Sequence, residues 1–325
     1  MSGQKYRPSL LSTRRGLIGG RRSTNGRSRP AGDGRLRLSR RRLTHILLNP
    51  PPSLVVMATS AAAWWTTGNV NYPAPAGPVY AGCHANGAPA RDGRIVVVTY
   101  NLRFGEEVAQ AVLEFSRHPR LQTADIVLLQ EMDATSTEAM AAALGYDYVY
   151  FPASRHQRTG RDFGNAILSR GRLENPHKVV LPHLAPHNGQ MRIAAGAATT
   201  AEGVRLTVYS AHLETQILGF AERFNQVEAL VAATPPSGPL IIGGDFNTAP
   251  GVELRTLEKR LRAEGLVHSS NGVGGTWRLG PLEAALDHIF SRDFGVIDAG
   301  ASFMESSDHR AVWVELELPP SPDTD

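Results

Sequence analysis

From Arg91 onward, short apolar runs alternate with longer amphipathic stretches, and this alternation constrains the possible folds more than any other feature of the sequence. Short β-branched runs indicate buried strands, and apolar residues spaced three and four positions apart indicate helices. Strands are predicted at 95–100, 126–129, 146–151, 166–168, 191–197, 204–209, 240–242, 288–290 and 312–316. Helices are predicted at 106–118, 137–144, 220–232 and 253–262. The pattern is typical of one mixed α/β domain over 91–318, followed by a C-terminal tail at 319–325.

The 90 residues before this domain divide into two segments of different composition. Residues 1–42 contain 13 Lys or Arg against a single acid and few apolar residues, which predicts a disordered tail. Residues 43–90 contain no Asp, Glu, Lys or Arg, and their apolar run at 53–65 is shorter than the roughly 18 residues of a membrane span. This segment is predicted to be a Pro-rich linker or a weak twin-arginine-like export signal, and a true start at Met57 is a further alternative.

The charge of the chain is unevenly distributed. The formal net charge is +4, but residues 1–42 contribute +12, and the remainder, with 21 basic and 29 acidic residues, contributes −8. Non-specific binding of a long nucleic acid needs a basic face, so an acidic body argues against it and leaves a local basic patch or the tail as alternatives. With Cys83 as the sole cysteine, the chain has no intrachain disulfide, and a metal would need oxygen or imidazole ligands.

Polar residues interrupt the apolar runs at the predicted strand ends. They are Asn101, Glu131, Asn165, His212, Asp245, Asn247, Asp287, Asp308 and His309. Each has a simpler explanation when taken alone, such as an Asx turn for Asn247 or a hydrogen-bonded core histidine for His212. Because open α/β sheets collect ligands outside their strand ends, the whole series predicts a single site.

The residue types in this series indicate phosphoester chemistry. Carboxylates at Glu131 and Asp308 and the amide oxygen of Asn101 suit Mg²⁺, with Mn²⁺ as an alternative, better than zinc. Asp245 is predicted to hold an attacking water, and Asn247 a phosphate oxygen.

The two histidines of the series have separate predicted roles. Asp287 is a candidate to orient the imidazole of His309, because a buried Asp fixes the tautomer of its histidine partner. His212 is predicted to be a second phosphate donor or the acid that protonates the leaving group.

The motifs TYNL, LLQE, GNAILSR, SAHLE, GGDFN, LDHIF and SSDH resemble, in type and order, those of the endonuclease/exonuclease/phosphatase superfamily, to which deoxyribonuclease I belongs. The resemblance implies a four-layer α/β sandwich, in which two facing mixed β-sheets are flanked by helices. It implies metal-site roles for Asn101, Glu131 and Asp308, phosphate contacts for Asn165 and Asn247, and catalytic roles for His212, Asp245, Asp287 and His309. Whether Asp245 or His309 is the general base stays open.

Two departures bear on the substrate. His212 and the pair Met132 and Asp133 after LLQE differ from the abasic-site repair branch and favour the nuclease, sphingomyelinase and inositol-phosphatase-like branches. Arg161, before Asn165, is a further candidate phosphate contact. The leading hypothesis is a metal-dependent hydrolase of a phosphodiester or phosphomonoester, with no obligate protein partner implied. The alternatives are a DNA or RNA endonuclease assisted by the basic tail and a non-catalytic binding module.

Overall fold

The computed structural model describes residues 70–87, 92–157, 159–215, 219–248 and 250–320. The predicted tail at 1–42, the apolar run at 53–65 and the end of the chain at 321–325 lie outside the described residues. Within the described ranges, no helix combines the length and the apolar character that crossing a membrane requires.

The first sheet has eight strands, and its only parallel pair lies near the middle. In spatial order the strands are β1 (Val70–Asn71), β5 (Asp147–Arg155), β6 (Asp162–Ser169), β4 (Ile126–Met132), β3 (Arg94–Asn101), β16 (Ala311–Glu317) and β15 (Gly295–Ser302), with β2 (Tyr80–Gly82) also paired with β5. The pair β3 and β4 is parallel, and the other pairs are antiparallel. The ends of β3 and β4 therefore lie at the same edge of the sheet.

The second sheet has six strands and follows the same plan. In spatial order they are β11 (Val267–His268), β14 (Asp287–Arg292), β10 (Leu240–Asp245), β9 (Val204–His212), β8 (Ile193–Ala201) and β7 (Glu174–Val180). Only β9 and β10 are parallel, and β14 starts beside the end of β10 in the antiparallel direction. A small hairpin is formed by β12 (Trp277–Leu279) and β13 (Leu282–Ala284).

Four helices and a short 3-10 turn at Arg103–Gly105 complete the domain. The helices are α1 (Val108–Arg117), α2 (Ala134–Leu144), α3 (Phe220–Ala232) and α4 (Val252–Ala263). One core lies between the two sheets, a second lies between the first sheet and α1 and α2, and a third lies between the second sheet and α3 and α4. The predicted mixed α/β sandwich of four layers is confirmed.

Some element bounds differ from the sequence prediction for local reasons. The second helix begins at Ala134 rather than 137, because the carboxylate of Asp133 accepts a hydrogen bond from the Ser136 amide at 2.8 Å and caps the helix. The strands β7 and β15 were not predicted, since most of their residues are exposed or half-buried and carry no apolar run. Strands β1 and β2 also pair with β5, so residues before Arg91 contribute to the first sheet.

Candidate active site

A cavity of about 560 Å³ opens at the edge where the strand ends of both sheets meet. Its walls are Arg103, Phe104, Glu131, His212, Thr215, Asp245, Asn247, Trp277, Ala284, Leu286, Asp308 and His309. Six of the nine residues predicted from the sequence are among them, and the other three, Asn101, Asn165 and Asp287, are buried beside it. The strand-end series therefore converges in space, although the role of each member stays a prediction.

Asp245 is part of the cavity wall, and strand register places it there. It ends β10 opposite His212 of the parallel strand β9 and opposite Asp287 of the antiparallel strand β14. A Cβ on Gly244 would overlap the carbonyl oxygen of Ala211, so glycine permits the close approach of β9 and β10 that this register needs. The Asp245 Oδ2 atom lies 3.6 Å from His212 Nε2 and 3.8 Å from His309 Nε2.

Asn101 joins the two sheets at the same edge. Its Nδ2 donates to Asp245 Oδ2 at 3.1 Å and to Glu131 Oε1 at 3.2 Å. Glu131 follows Gln130, which pairs with Asn101 in the parallel register of β3 and β4. The amide of Asn101 thus holds one carboxylate from each sheet, and its Oδ1 accepts a hydrogen bond from the Arg103 amide at 3.0 Å.

His309 is held by a buried hydrogen-bonded chain. Its Nδ1 lies 2.8 Å from Asp287 Oδ2, and Thr276 Oγ1 donates to the same oxygen at 2.7 Å. The Thr276 hydroxyl in turn accepts the amide hydrogens of Leu286 and Asp287. The other carboxylate oxygen of Asp287 has no partner among the described residues. One carboxylate oxygen of Asp287 is therefore held by two partners, and the bond to Nδ1 leaves the Nε2 atom of His309 facing Asp245.

Burial and like charge perturb the two carboxyl groups at the cavity wall. Burial and the neighbouring Asp287 raise the pKa of Asp245 to about 7, although His309 acts in the opposite direction. Burial also raises the pKa of Glu131, and the cationic Arg192 only partly offsets it. A cation bound between these carboxyl groups and the solvent would stabilise their ionised forms.

The pKa values of the two cavity histidines are shifted in opposite directions. Burial alone would lower the pKa of His309, but Asp287 and the other nearby carboxylates outweigh it and raise the pKa to about 10. Burial, followed by the charges of Arg192 and His309, lowers the pKa of His212 well below its usual range. At neutral pH, His309 is therefore an imidazolium and His212 is a neutral imidazole.

Backbone strain also concentrates around the cavity. Among the residues lining it, Arg103, Phe104, Glu131 and Asn247 have positive φ angles of 40°, 63°, 59° and 48°. Such conformations are unfavourable for residues other than glycine and persist where the surrounding structure enforces them, often at functional sites. Asn247 is enforced by its amide, which donates to Asp245 Oδ1 at 2.9 Å, and by its Nδ2, which donates to Leu213 O at 3.0 Å.

Three residues that were predicted to contact phosphate or metal already form hydrogen bonds or ion pairs within the protein. Asn165 uses its Nδ2 on the carbonyls of Ile193 and Ser210, so a phosphate contact from that amide would require these bonds to break. Arg161 is paired with the Asp133 carboxylate at 2.6 Å, and its Nη2 donates to Phe104 O at 2.8 Å.

The third of these residues is Asp308, which was predicted to be a metal ligand. Its Oδ2 accepts a hydrogen bond from the indole Nε1 of Trp277 at 3.2 Å.

Sequence reasoning missed several residues that shape the site. Thr276 and Trp277 belong to the hairpin segment and contact Asp287 and Asp308 through side chains that no strand-end pattern marks. Arg103 lies at the cavity wall, directly after the TYNL motif. The only sequence signal for Arg103 was its place beside a motif already singled out.

Two groups of side chains could hold a divalent cation. Asn101, Glu131 and Asp308 carry an amide oxygen and two carboxylates, the donor types that Mg²⁺ prefers. In this structure Asn101 turns its Nδ2 to Glu131 and its Oδ1 to the Arg103 amide, so a metal bound through the amide oxygen would require the Asn101 side chain to turn. A second group, Asp245, Asp287 and His309, has ligand-type atoms within 4.8 Å of one another. In that second group, His309 Nδ1 and Asp287 Oδ2 already bind each other. The raised pKa of the half-buried Glu131 fits a cation at the first group.

Comparisons with known proteins agree with the fold and the order of motifs. A profile of the Endonuclease/Exonuclease/phosphatase family matches residues 98–309, more than half of the chain. UPF0294 protein VV2535 of Vibrio vulnificus is 32% identical over 119 residues, which cover 36% of this chain and 42% of that protein. The match therefore spans less than half of that relative's length.

Solved structures of low sequence identity share the fold. An endonuclease/exonuclease/phosphatase from Beutenbergia cavernae is 19% identical, with a TM-score of 0.58 over 71% of this chain and 73% of that one. Danio rerio TDP2 complexed with a single-strand DNA product is 18% identical, with a TM-score of 0.55 over 69% and 99%. The human Nocturnin catalytic domain with a bound sulfate anion is 19% identical, with a TM-score of 0.54 over 74% and 96%.

The profile match, the sandwich of two mixed sheets and the ordered motifs at one cavity lead to the same assignment. The chain belongs to the endonuclease/exonuclease/phosphatase family, whose members are in general metal-dependent phosphoesterases and nucleases.

Proposed function

We propose that this protein is a Mg²⁺- or Mn²⁺-dependent hydrolase that cleaves a phosphodiester or phosphomonoester by attack of water. The observation that carries the proposal is the position of Asp245. Its buried carboxylate lies within 3.1 Å of Asn101 Nδ2, 3.6 Å of His212 Nε2 and 3.8 Å of His309 Nε2, at the wall of an open cavity. A carboxylate surrounded in this way is suited to orient a water and accept its proton.

The metal would be held by Asn101, Glu131 and Asp308. When bound there, a divalent cation supplies positive charge to the phosphoryl oxygens as negative charge develops on them. The Asp245, Asp287 and His309 group is assigned to proton handling instead, because Asp287 and His309 already satisfy each other.

Asp245 is proposed as the group that activates the water. Its pKa, raised to about 7 by burial and by Asp287, lies near neutral pH, where a general base is most effective. His309, whose pKa is raised to about 10, carries its proton at neutral pH and is assigned to donate a hydrogen bond to a phosphoryl oxygen. Asp287 holds that imidazolium in place and balances its charge.

Asn247 and His212 are proposed to bind the phosphoryl group beside Asp245. Both line the cavity, and Asn247 uses its Nδ2 on Leu213 O for one of its two hydrogens. Asn165 is proposed as a phosphate contact that becomes available only when its bonds to Ile193 O and Ser210 O are exchanged.

A nucleic acid is the second candidate substrate. The structure of Danio rerio TDP2 was obtained with a single-strand DNA product, and this chain carries a charge of +12 in residues 1–42. In this alternative the Arg-rich segment tethers DNA or RNA to the folded domain, which includes the strands β1 and β2 before Arg91. Deleting residues 1–42 should then weaken cleavage and flatten its salt dependence. An unchanged salt slope argues for a lipid or small phosphate substrate.

The proposal is tested with a panel of an activated phosphodiester, plasmid DNA, RNA, sphingomyelin and inositol phosphates, each with Mg²⁺, Mn²⁺ or chelator. Asp245→Asn and His309→Gln should each lower the rate by on the order of 10² or more. Asp298→Asn is the matched control, because its side chain is 46% exposed and pairs with Arg120 on the surface. Full activity in Asp245→Asn or His309→Gln would overturn the assignment, and failure to hydrolyse any member would favour a non-catalytic binding module.

A further inference from the structure

Arg192 is a buried arginine that contacts one of the cavity histidines. It lies directly before β8 and is 5% exposed. Its Nη1 atom lies 3.3 Å from His212 Nδ1. None of the strand-end motifs includes this residue, and it does not line the cavity itself.

The guanidinium is held so firmly that it has little freedom to turn toward the cavity. Its Nε and Nη2 donate to the two carboxylate oxygens of Glu214 at 3.2 and 3.4 Å. Glu214 is fully buried and also accepts hydrogen bonds from the amide and hydroxyl of Thr215. The guanidinium carbon of Arg192 lies 5.3 Å from the ring centroid of Phe163, within the separation of about 6 Å or less that is typical of cation–π contacts.

The contact between Arg192 and His212 determines where the histidine proton lies. A guanidinium has only N–H donors and stays protonated in proteins, so it cannot accept a hydrogen bond. His212 Nδ1 must therefore present its lone pair to Arg192. In a neutral imidazole the single proton then lies on Nε2, which faces Asp245 Oδ2 at 3.6 Å.

A second proton on His212 is opposed by the same contact. Protonating Nδ1 would place two N–H groups and two positive charges against each other in a buried site. Glu214 is already committed to Arg192 through two hydrogen bonds, and within the part of the chain that the structure describes, His212 Nδ1 has Arg192 as its partner rather than a carboxylate. This contrasts with His309, whose Nδ1 faces Asp287.

We propose that Arg192, held by Glu214, is a positioning residue that fixes His212 as a neutral imidazole with its proton on Nε2. His212 then donates a hydrogen bond toward the cavity and does not protonate the leaving group, which removes one of its two predicted roles. The tautomer follows from the Arg192 geometry alone. Its effect on catalysis rests on the proposed phosphoesterase function.

The tautomer is measured directly in the full chain, labelled with ¹⁵N at the histidine rings, by long-range ¹H–¹⁵N correlation at neutral pH. The His212 signals are assigned by their loss in His212→Gln. We expect Nδ1 to show the shift of an unprotonated nitrogen and Nε2 that of a protonated one. A protonated Nδ1, alone or together with a protonated Nε2, would overturn the proposal. This measurement needs no substrate, so it stands even if the proposed activity fails.

A variant separates positioning from simple packing. In Arg192→Met with Glu214→Gln, the buried charge pair is removed as a whole, which avoids an unpaired carboxylate. We expect signals from both tautomers of His212, and a kcat lowered by on the order of 10² with KM little changed. Arg205→Gln, which breaks an exposed pair with Glu174 in the same sheet, is the matched control and should leave tautomer and kcat unchanged. A folded double variant that keeps the wild-type tautomer would refute the role of Arg192.

Discussion

Removing the negative charge of Asp287 should lower the pKa of His309, its buried hydrogen-bonding partner. Asp287→Asn keeps the shape of the side chain and an oxygen for His309 Nδ1 and Thr276 Oγ1, but it removes the negative charge 2.8 Å from the imidazole. An opposite charge at this distance shifts a pKa by about 1 to 3 on the pH scale, which corresponds to a free energy of about 1.4 to 4 kcal/mol. The pKa of His309, about 10 in the wild type, should fall by that amount.

The same pair makes the stability of the fold depend on pH in a definite direction. Because the folded pKa of His309 lies above the unfolded value of about 6.5, its contribution is fully present below pH 6.5 and is lost as the pH rises through about 10. The advantage of the wild type over Asp287→Asn in free energy of unfolding should therefore be largest near pH 6.5 and shrink as the pH rises through about 10.

The assay combines an NMR titration of the His309 ring with denaturant unfolding over the same pH range, both with chelator present. Activity of Asp287→Asn should also fall by on the order of 10² or more, because the imidazole loses its charge and its orienting partner. Asp147→Asn, on β5 in the first sheet, serves as the control for a carboxylate lost elsewhere. An unchanged pKa of His309, or a stability difference that grows as the pH rises, would refute the reasoning.

Three further changes have expected outcomes. Glu131→Gln should weaken Mg²⁺ binding in calorimetry by about tenfold or more, because Mg²⁺ prefers a carboxylate to an amide oxygen, and an unchanged Kd would exclude Glu131 as a ligand. Burial lowers the pKa of His288 to about 4, so the stability that its neutral ring contributes is present above pH 6.5 and is lost as the pH falls through 4. The free energy of unfolding of the wild type should therefore fall in acid by up to about 3 kcal/mol, and His288→Gln should reduce this loss. Equal acid profiles of the two proteins would contradict this. Arg161→Gln should raise KM by about fivefold with little change in Tm, because it frees the Phe104 loop, and an unaltered KM would show that the loop needs no such support.

The fold was predictable where burial follows a regular period. The helix Phe220–Ala232 has the predicted bounds, because its buried positions Arg223, Val227 and Leu230 recur on one face. The strand predicted at 204–209 continues to His212, since Ser210 and Ala211 are buried without being strongly apolar. Strands β7 and β15 escaped prediction because sheet edges need no apolar alternation.

The site was predictable as a set of strand ends but not as a set of contacts. Asp245 and His212 were expected in one site because strand ends collect at one edge of an α/β sheet, and the structure places them side by side on parallel strands. The hydrogen bond of Arg192 to His212, by contrast, depends on a side chain that reaches from the residue before β8 to the end of β9. The hydrogen bond from Thr276 to Asp287 depends on a hairpin segment that folds back over β14. Contacts of this kind are set by side-chain direction in three dimensions, which a one-dimensional period does not carry.

The central claim is that water attacks phosphorus at this cavity with a divalent cation present. Hydrolysis of an activated phosphodiester in H₂¹⁸O, with Mg²⁺ or Mn²⁺, tests it most directly, with mass spectrometry of both products. One ¹⁸O atom is predicted in the phosphate product and none in the released alcohol, and labelled phosphate should form at a rate lowered by on the order of 10² in Asp245→Asn and not at all with chelator. Label in the alcohol, or labelled phosphate formed at the wild-type rate by Asp245→Asn or with chelator, would contradict this mechanism.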